Sequence, residues 1–291
     1  MTSLCRPHGL GVDLDGNLLV ADTDHHRLLI ATPTQRSAYK VKVLAGSSEG
    51  CQDGKASEAA FRYPYSIIPG PKSGLVYAAD TDNHRIVRIY QEEVVTIAGS
   101  NKTFQGESGF IDGPSRSARF MRPSCIALSP DNTSILVTDH ANQCIRLVLD
   151  IGREEKCYVK TIAGTPKKAG LLDGDADKAQ FNNPFSATWL SAEMVCVSDL
   201  GNDAIRIIDI TKRTVNTIVN NKSSSGLLVE PVSVLLYRKA IYCVSRGTDS
   251  ILIADKDGDE KKSFRGTGTD RSRQPIEPYQ HDEKKKEDEK A

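Results

Sequence analysis

"ADTDNHRIVRI", residues 79–89, begins as a polar turn and ends as a strand. The same pattern is written as "ADTDHHRLLI" at 21–30 and as "TDHANQCIRL" at 138–147. The leading aspartates Asp22, Asp80, Asp139 and Asp199 are spaced by 58, 59 and 60 residues, and a weaker fifth copy places Arg246 in the slot, 47 residues on. Six residues after each of these stands an aliphatic: Leu28, Ile86, Ile145, Ile205 and Leu252. Three residues after it stands a turn-former in Asn83, Asn142, Asn202 and Asp249, with His25 the departure. A fixed self-similarity of this length is the mark of a repeat architecture.

A second motif recurs in phase with the first. "DGKASEAAFRYP", "DGPSRSARFMRP" and "DGDADKAQFNNP" share Asp-Gly, Ala six residues on, Phe at eight and Pro at eleven. Each follows an Ala-Gly step, at Ala45-Gly46, Ala98-Gly99 and Ala163-Gly164. The fourth junction lacks the Asp-Gly insert, which accounts for the shortened last spacing. Each unit holds four strand-like runs separated by turns; in the second unit they are "SIIPG", "LVYAAD", "RIVRIY" and "VVTIAG". Short runs mixing Val, Ile, Thr and Tyr with polar residues read as strands. Four antiparallel strands per repeat predict an all-β chain, a β-propeller with five countable blades. The expected organisation is an N-terminal segment 1–5, a propeller over 6–268 and a charged, disordered tail 269–291.

The anchor aspartates are read as turn caps, a role that Asp fills by accepting backbone amides. Phe61, Phe120 and Phe181 are read as wedges between neighbouring sheets. In a propeller the strand-opening Pro and the anchor turn lie on one face, around the channel mouth. That face is expected to present His8, Tyr65, Ser124, Phe185 and Val232, with His26, His84, His140, Arg6, Arg27, Arg85 and Arg122 just outside.

These motifs resemble the NHL-repeat family, whose Asp-x-x-Asn-x-x-Ile/Val turn is matched at Asp80–Ile86 and whose naming tripeptide is nearly matched by Asn83-His84-Arg85. The Ala-Gly…Asp-Gly…Ala-x-Phe-x-x-Pro linker is similar to the variety of this family found beside thioredoxin-like domains. The resemblance covers residues 6 to 264. It implies a rigid binding face, for RNA in some members, and six blades more often than five. A missing terminal blade and a five-blade ring are both open. It also implies the alternative of a metal-dependent enzyme, amidating-lyase-like or lactonase-like, with histidines from several blades around the metal. Here only His8 holds the position after the strand-opening Pro, so three protein ligands are not expected to converge. No metal, no cofactor and no catalytic residue is expected.

Composition narrows the partner. Lys+Arg and Asp+Glu both number 38, and the tail holds seven acids against six bases, which leaves the body at +1. A broad basic face for nucleic acid is not expected, although Arg62 and Arg122 beside Tyr63, Tyr65, Phe185 and Trp189 keep RNA as the alternative. No apolar run is long enough to span a membrane. The seven cysteines form no Cys-x-x-Cys pair and, without a signal peptide, read as reduced thiols in a cytoplasmic protein. Those at 125, 144, 157, 196 and 243 fall in expected strands and read as small buried hydrophobes. The expected role is a non-catalytic binding or scaffold module for a protein or peptide; a small-molecule ligand is not expected.

Overall fold

The structure is a computed structural model that describes residues 3–35, 38–100, 107–258 and 260–265, the last stretch as backbone. The tail expected at 269–291 lies outside the described residues. Five four-stranded antiparallel blades follow one another along the chain. Blade 1 is Leu10–Val12, Leu18–Asp22, Arg27–Pro33 and Tyr39–Ala45; blade 2 is Pro64–Pro69, Val76–Asp80, Arg85–Tyr90 and Glu93–Ala98. Blade 3 is Pro123–Leu128, Ile135–Asp139, Cys144–Leu149 and Tyr158–Ala163; blade 4 is Pro184–Trp189, Met194–Asp199, Ala204–Asp209 and Thr214–Asn220. Blade 5 is Pro231–Tyr237, Ala240–Ser245, Ser250–Ala254 and Glu260–Arg265. The chain is all-β and a β-propeller.

Alternation along the strands gives each blade two apolar faces, and each face packs on the neighbouring blade. Leu28, Phe61 and Ile67 meet between blades 1 and 2, and Ile86, Phe120 and Ile126 between blades 2 and 3. Ile145, Phe181 and Ala187 meet between blades 3 and 4, and Ile205, Leu228 and Val234 between blades 4 and 5. Phe61, Phe120 and Phe181 are fully buried at these junctions. The innermost strands lie against one another in sequence from blade 1 to blade 5, but those of blades 5 and 1 do not pack together in the same way.

Each linker does more than connect. Gly54–Lys55, Gly113–Pro114 and Gly174–Asp175 add a fifth strand to the outer edge of blades 2, 3 and 4. The sequence reading did not include these short strands. The Ala-Gly step has a steric cause: Gly46, Gly99 and Gly164 have φ of 102°, 95° and 103°, and a Cβ there would stand 2.7–2.8 Å from the carbonyl oxygen of His26, His84 or Gln143.

The anchor aspartates do not cap their own turns; none of the turns carries a side-chain cap bond. Each carboxylate is a buried junction instead. Asp80 Oδ1 accepts the Arg62 amide at 2.7 Å, and Oδ2 accepts Asn83 Nδ2 at 2.8 Å and Arg85 Nε at 2.7 Å. Asp139 takes the Met121 amide, Asn142 and Arg146; Asp199 takes the Asn182 amide, Asn202 and Arg206. Asp22 takes the Cys5 amide, His25 and Arg27. The fifth slot belongs to Ser245 rather than Arg246. Ser245 pairs with Pro231 as the aspartates pair with Pro64, Pro123 and Pro184, and its hydroxyl accepts the Val229 amide at 2.8 Å. The turn-former and aliphatic of that blade are therefore Thr248 and Ile251, one residue before the expected Asp249 and Leu252.

The arginine closes the unit. Arg85, Arg146 and Arg206 are fully buried and bridge the anchor to the Asp of the linker, Asp53, Asp112 or Asp173, at 2.6–2.7 Å. The linker Asp also accepts the amide and hydroxyl of Thr96, Thr161 or Thr217 on the outermost strand. In blades 3 and 4 the guanidinium lies over the wedge, 4.6 Å from the Phe120 centroid and 4.9 Å from that of Phe181. Removing one partner of such a buried pair leaves a charge without compensation. Arg206→Leu is expected to cost about 3–5 kcal/mol, most of it at fully buried Asp199, read from urea unfolding midpoints. Phe120→Ala is expected to cost about 3–5 kcal/mol by the same measurement, because a filled junction becomes a cavity.

Candidate functional site

The face that carries the anchor turns is built from three interlocking sets of residues. The first precedes each strand-opening Pro. Arg6, Tyr63, Arg122, Asn183 and Glu230 have φ of 44–55°, a left-handed backbone that costs these side chains energy and is repeated in every blade.

The second set supports the first. Residues four after the anchor, also left-handed, accept the amides of those pre-proline residues across the blade junction. His26 Nδ1 accepts from Tyr63 at 3.2 Å and His84 Nδ1 from Arg122 at 3.1 Å. Gln143 Oε1 accepts from Asn183 at 2.6 Å, and Asp203 Oδ1 from Glu230 at 2.7 Å. A neighbouring set ties the same blades: Thr23 and Thr81 donate to the carbonyls of Pro64 and Pro123, and His140 Nδ1 lies 3.1 Å from that of Pro184. His26 and His84, expected as binding residues, thus spend Nδ1 on architecture.

The third set is what remains available. His8 stacks on Tyr65 with centroids 4.2 Å apart; Tyr65 meets Phe185 edge-on at 6.3 Å, and His140 meets Phe185 at 5.8 Å. The residues after the strand-opening Pro contribute from blades 1, 2 and 4, and blade 3, whose residue there is the small Ser124, adds His140 from its anchor turn. Ser124 is buried and donates to the Phe185 carbonyl at 2.7 Å, so it holds the row rather than forming part of its surface. Tyr65 and Phe185 are half-buried. Burial pushes the Tyr65 phenol up, so it stays a neutral O–H.

The cations of this face are paired. Arg122 Nε meets Asp82 at 3.0 Å, Arg62 meets Glu49 at 3.1 Å, and Arg6 lies 3.7 Å from Asp24. Arg85, expected on this face, is fully buried between Asp80 and Asp53 and takes no part in it. His26 and His84 accept amides at Nδ1, so in the neutral ring Nε2 carries the proton and offers no lone pair to an ion. Among the described residues no three His, Cys, Asp or Glu could share an ion. Cys144, Cys196 and Cys243 are buried in strands with their thiols pushed up by burial, that of Cys243 to about 12; Cys157 precedes its strand instead of lying in it. A groove of about 950 Å³ lies at the outer rim between blades 1 and 2, bordered by Val43, Ser47, Lys55 and Glu92. No aromatic row or converging set of ionisable groups accompanies it, so the mouth remains the better candidate. Among the described residues no helix is long and apolar enough to cross a membrane.

The staples could have been found as the residue four after each anchor: His, His, Gln and Asp share only an acceptor atom. Their chemistry predicts a pH dependence. Burial holds His84 below its usual pKa, and its neutral ring is the form that accepts the Arg122 amide. A histidine depressed on folding contributes stability that is complete above its unfolded pKa of about 6.5 and is lost as pH falls through the folded value. The melting temperature is expected to drop between pH 7.5 and 5.5, and His84→Gln, which supplies the acceptor that Gln143 uses in blade 3, is expected to reduce that drop. Equal slopes for the two proteins would refute the assignment.

Comparison with known proteins points to the same repeat and the same fold. The NHL repeat family model matches residues 4–30, the first blade from its leading segment through its anchor turn. Bovine NHL repeat-containing protein 2 is 34% identical over 238 residues, covering 75% of this chain and 32% of that protein. Rat peptidylglycine alpha-amidating monooxygenase is 28% identical over 144 residues, covering 48% of this chain and 14% of that protein. The chain thus spans about a third or less of the length of these relatives. A crystal structure of a nidogen/laminin complex superposes with a TM-score of 0.60 at 14% identity, covering 89% of this chain and 80% of that one, a likeness of fold alone.

Proposed function

The chain is an NHL-repeat β-propeller, and from that premise we propose that it is a non-catalytic binding module that holds a protein or peptide at the mouth of its channel. The observation that carries this reading is the row His8, Tyr65, Phe185 and His140. Half-buried rings locked by their neighbours lose little entropy on binding, and such residues supply most of the energy at protein interfaces. The Tyr65 hydroxyl adds a neutral donor suited to a peptide carbonyl. Peptide binding is favoured over RNA because Arg6, Arg62 and Arg122 are already matched by carboxylates. A phosphate would have to displace those partners. Catalysis is disfavoured because His26 and His84 spend Nδ1 on amides across blade junctions and, among the described residues, no three His, Cys, Asp or Glu converge on one point.

Peptides selected on the parent protein from a displayed library, then titrated by calorimetry, test this. Tyr65→Ala/Phe185→Ala is expected to weaken binding at least tenfold, about 2 kcal/mol at a hot spot, while melting within a few degrees of the parent. Unchanged affinity would remove the mouth from consideration. Binding that fails steeply with added salt and disappears on nuclease treatment would assign the face to RNA.

A further inference from the structure

Three outer edges of the propeller are covered in one way, and that way defines a receptor. In blades 2, 3 and 4 the Gly of the linker pairs with Val94, Val159 or Val215 on the outermost strand, and the residue after it pairs with Glu93, Tyr158 or Thr214. The Asp before it accepts the amide of Thr96, Thr161 or Thr217 and a guanidinium N–H of Arg85, Arg146 or Arg206. Gly54, Gly113 and Gly174 have φ of 117°, 135° and 112° with open space where a Cβ would stand, so backbone conformation and not crowding calls for glycine.

Blades 1 and 5 carry no fifth strand among the described residues. Blade 5 has Ser250 and Leu252 where the other blades place the arginine, so its edge lacks the receptor. Blade 1 keeps it. Tyr39–Ala45 lies on Arg27–Pro33 in the register of Glu93–Ala98 on Arg85–Tyr90, bulge included, so Lys40, Val41 and Val43 stand where Glu93, Val94 and Thr96 do. Backbone groups point alternately in and out along an edge strand. Those of Val41 and the Val43 amide therefore point outward, and no partner strand meets them among the described residues.

Arg27 is held as Arg85 is. Nε is on the anchor at 2.8 Å against 2.7 Å, and Nη2 is on a backbone carbonyl, that of Ser3 or Ala60, at 3.0 Å in both. Arg85 gives Nη1 to Asp53, whereas Arg27 Nη1 has no carboxylate among the described residues. The Arg27 side chain is 19% exposed where Arg85 is fully buried. Beside Val43 and Leu44 the groove of about 950 Å³ leaves room for a strand.

We propose that this edge is a second docking site, separate from the mouth, at which an extended segment of a partner protein carrying Asp-Gly-Asp or Asp-Gly-Glu adds to Tyr39–Ala45 as an antiparallel strand. An unpaired edge is a template for such addition. The first Asp meets Arg27 Nη1 and the Val43 amide, Gly lies opposite Val41, and the second acid faces Lys40, a favourable cross-strand pair. The far wall of the groove holds Lys55, Glu92 and Glu93, so acids are called for at those two positions and not along the whole segment. The occupant is a partner because the five Asp-Gly steps of this chain are engaged, three in linkers and two in the turns at Gly16 and Gly258. A second copy brings none to spare.

The test titrates the full chain into a short fluorescein-labelled peptide with Asp-Gly-Asp at its centre and reads anisotropy. Replacing the centre by Asn-Gly-Asn is expected to weaken binding about tenfold or more, as two charge-assisted contacts are lost. Val41→Pro removes an outward amide and leaves the pairing with Ala31, so it is expected to abolish binding at the parent's melting temperature. Val43→Thr supplies the hydroxyl that Thr96 gives to Asp53, and is expected to tighten binding about threefold. Four results would overturn the proposal: a parent that ignores the peptide; equal affinity for the Asn-Gly-Asn form; affinity unmoved by Val41→Pro or Val43→Thr; or a parent that is a dimer by light scattering and is dispersed by Val41→Pro, which would give the edge to a second copy.

Discussion

Each middle blade depends on one buried arginine held between two aspartates. The anchor lies at the end of the second strand and the linker Asp at the outer edge, and the guanidinium on the third strand joins them. A buried ion pair repays its desolvation only when its remaining hydrogen-bonding positions are filled. Here all but Arg206 Nε are filled, by a linker amide, an Asn, a Thr and, for Arg206, the carbonyls of Leu172 and Gln180. Burial pushes the Asp139 carboxyl up to about 6, against the pull of Arg146, Asn142 and the Met121 amide, so it is still ionised at neutral pH. Because these contacts connect the strands of one blade to the segment arriving from the previous blade, the same charges hold the sheet and set the path of the chain around the ring.

This explains what was legible in the sequence. The anchors and the Asp-Gly linkers recur because a charge-bearing node tolerates few substitutes, so Asp22, Asp80, Asp139 and Asp199 announce the fold. The arginine was hidden by its register. It stands five residues after the anchor in blade 2 and seven after it in blades 3 and 4. Positions two apart on a strand share a face, and a long side chain reaches the same pair of carboxylates from either. The fifth anchor was misplaced by one residue for a related cause. Without a linker Asp or a buried Arg, that blade has no charge to compensate, and Ser245 with Thr248 does neutral hydrogen bonding where the other blades do ionic work.

The mouth was legible only in outline. Counting from the strand-opening Pro located His8, Tyr65 and Phe185, because position in a strand fixes direction. It could not separate rings that face outward from those whose nitrogens are spent, since His26 and His84 stand where blades 3 and 4 use Gln143 and Asp203. What those positions share is an acceptor atom facing a strained amide across a junction, a three-dimensional relation with no single residue type to mark it. Arg85 was misjudged for the same reason: beside the turn in sequence, its guanidinium reaches inward to the linker Asp.

The division of labour that results bears on how such a face acquires a partner. Residues that repeat around the ring are occupied: the anchor carboxylates of blades 1 to 4, the pre-proline amides of blades 2 to 5 and the staples that accept them. Residues that differ from blade to blade at one position, His8, Tyr65, Ser124, Phe185 and Val232, can vary because the backbone beneath them is fixed mainly by the anchors and staples, although Ser124 adds a bond to the Phe185 carbonyl. A substitution there changes the surface and leaves the ring intact, which is how a scaffold can be kept while its partner changes. In this chain the choice of Ser at blade 3 lets Tyr65 and Phe185 approach across it to 6.3 Å. A larger residue at 124 would part the two rings and forfeit the Ser124 bond to the Phe185 carbonyl. The smallest side chain of the mouth therefore governs the spacing of its two largest rings.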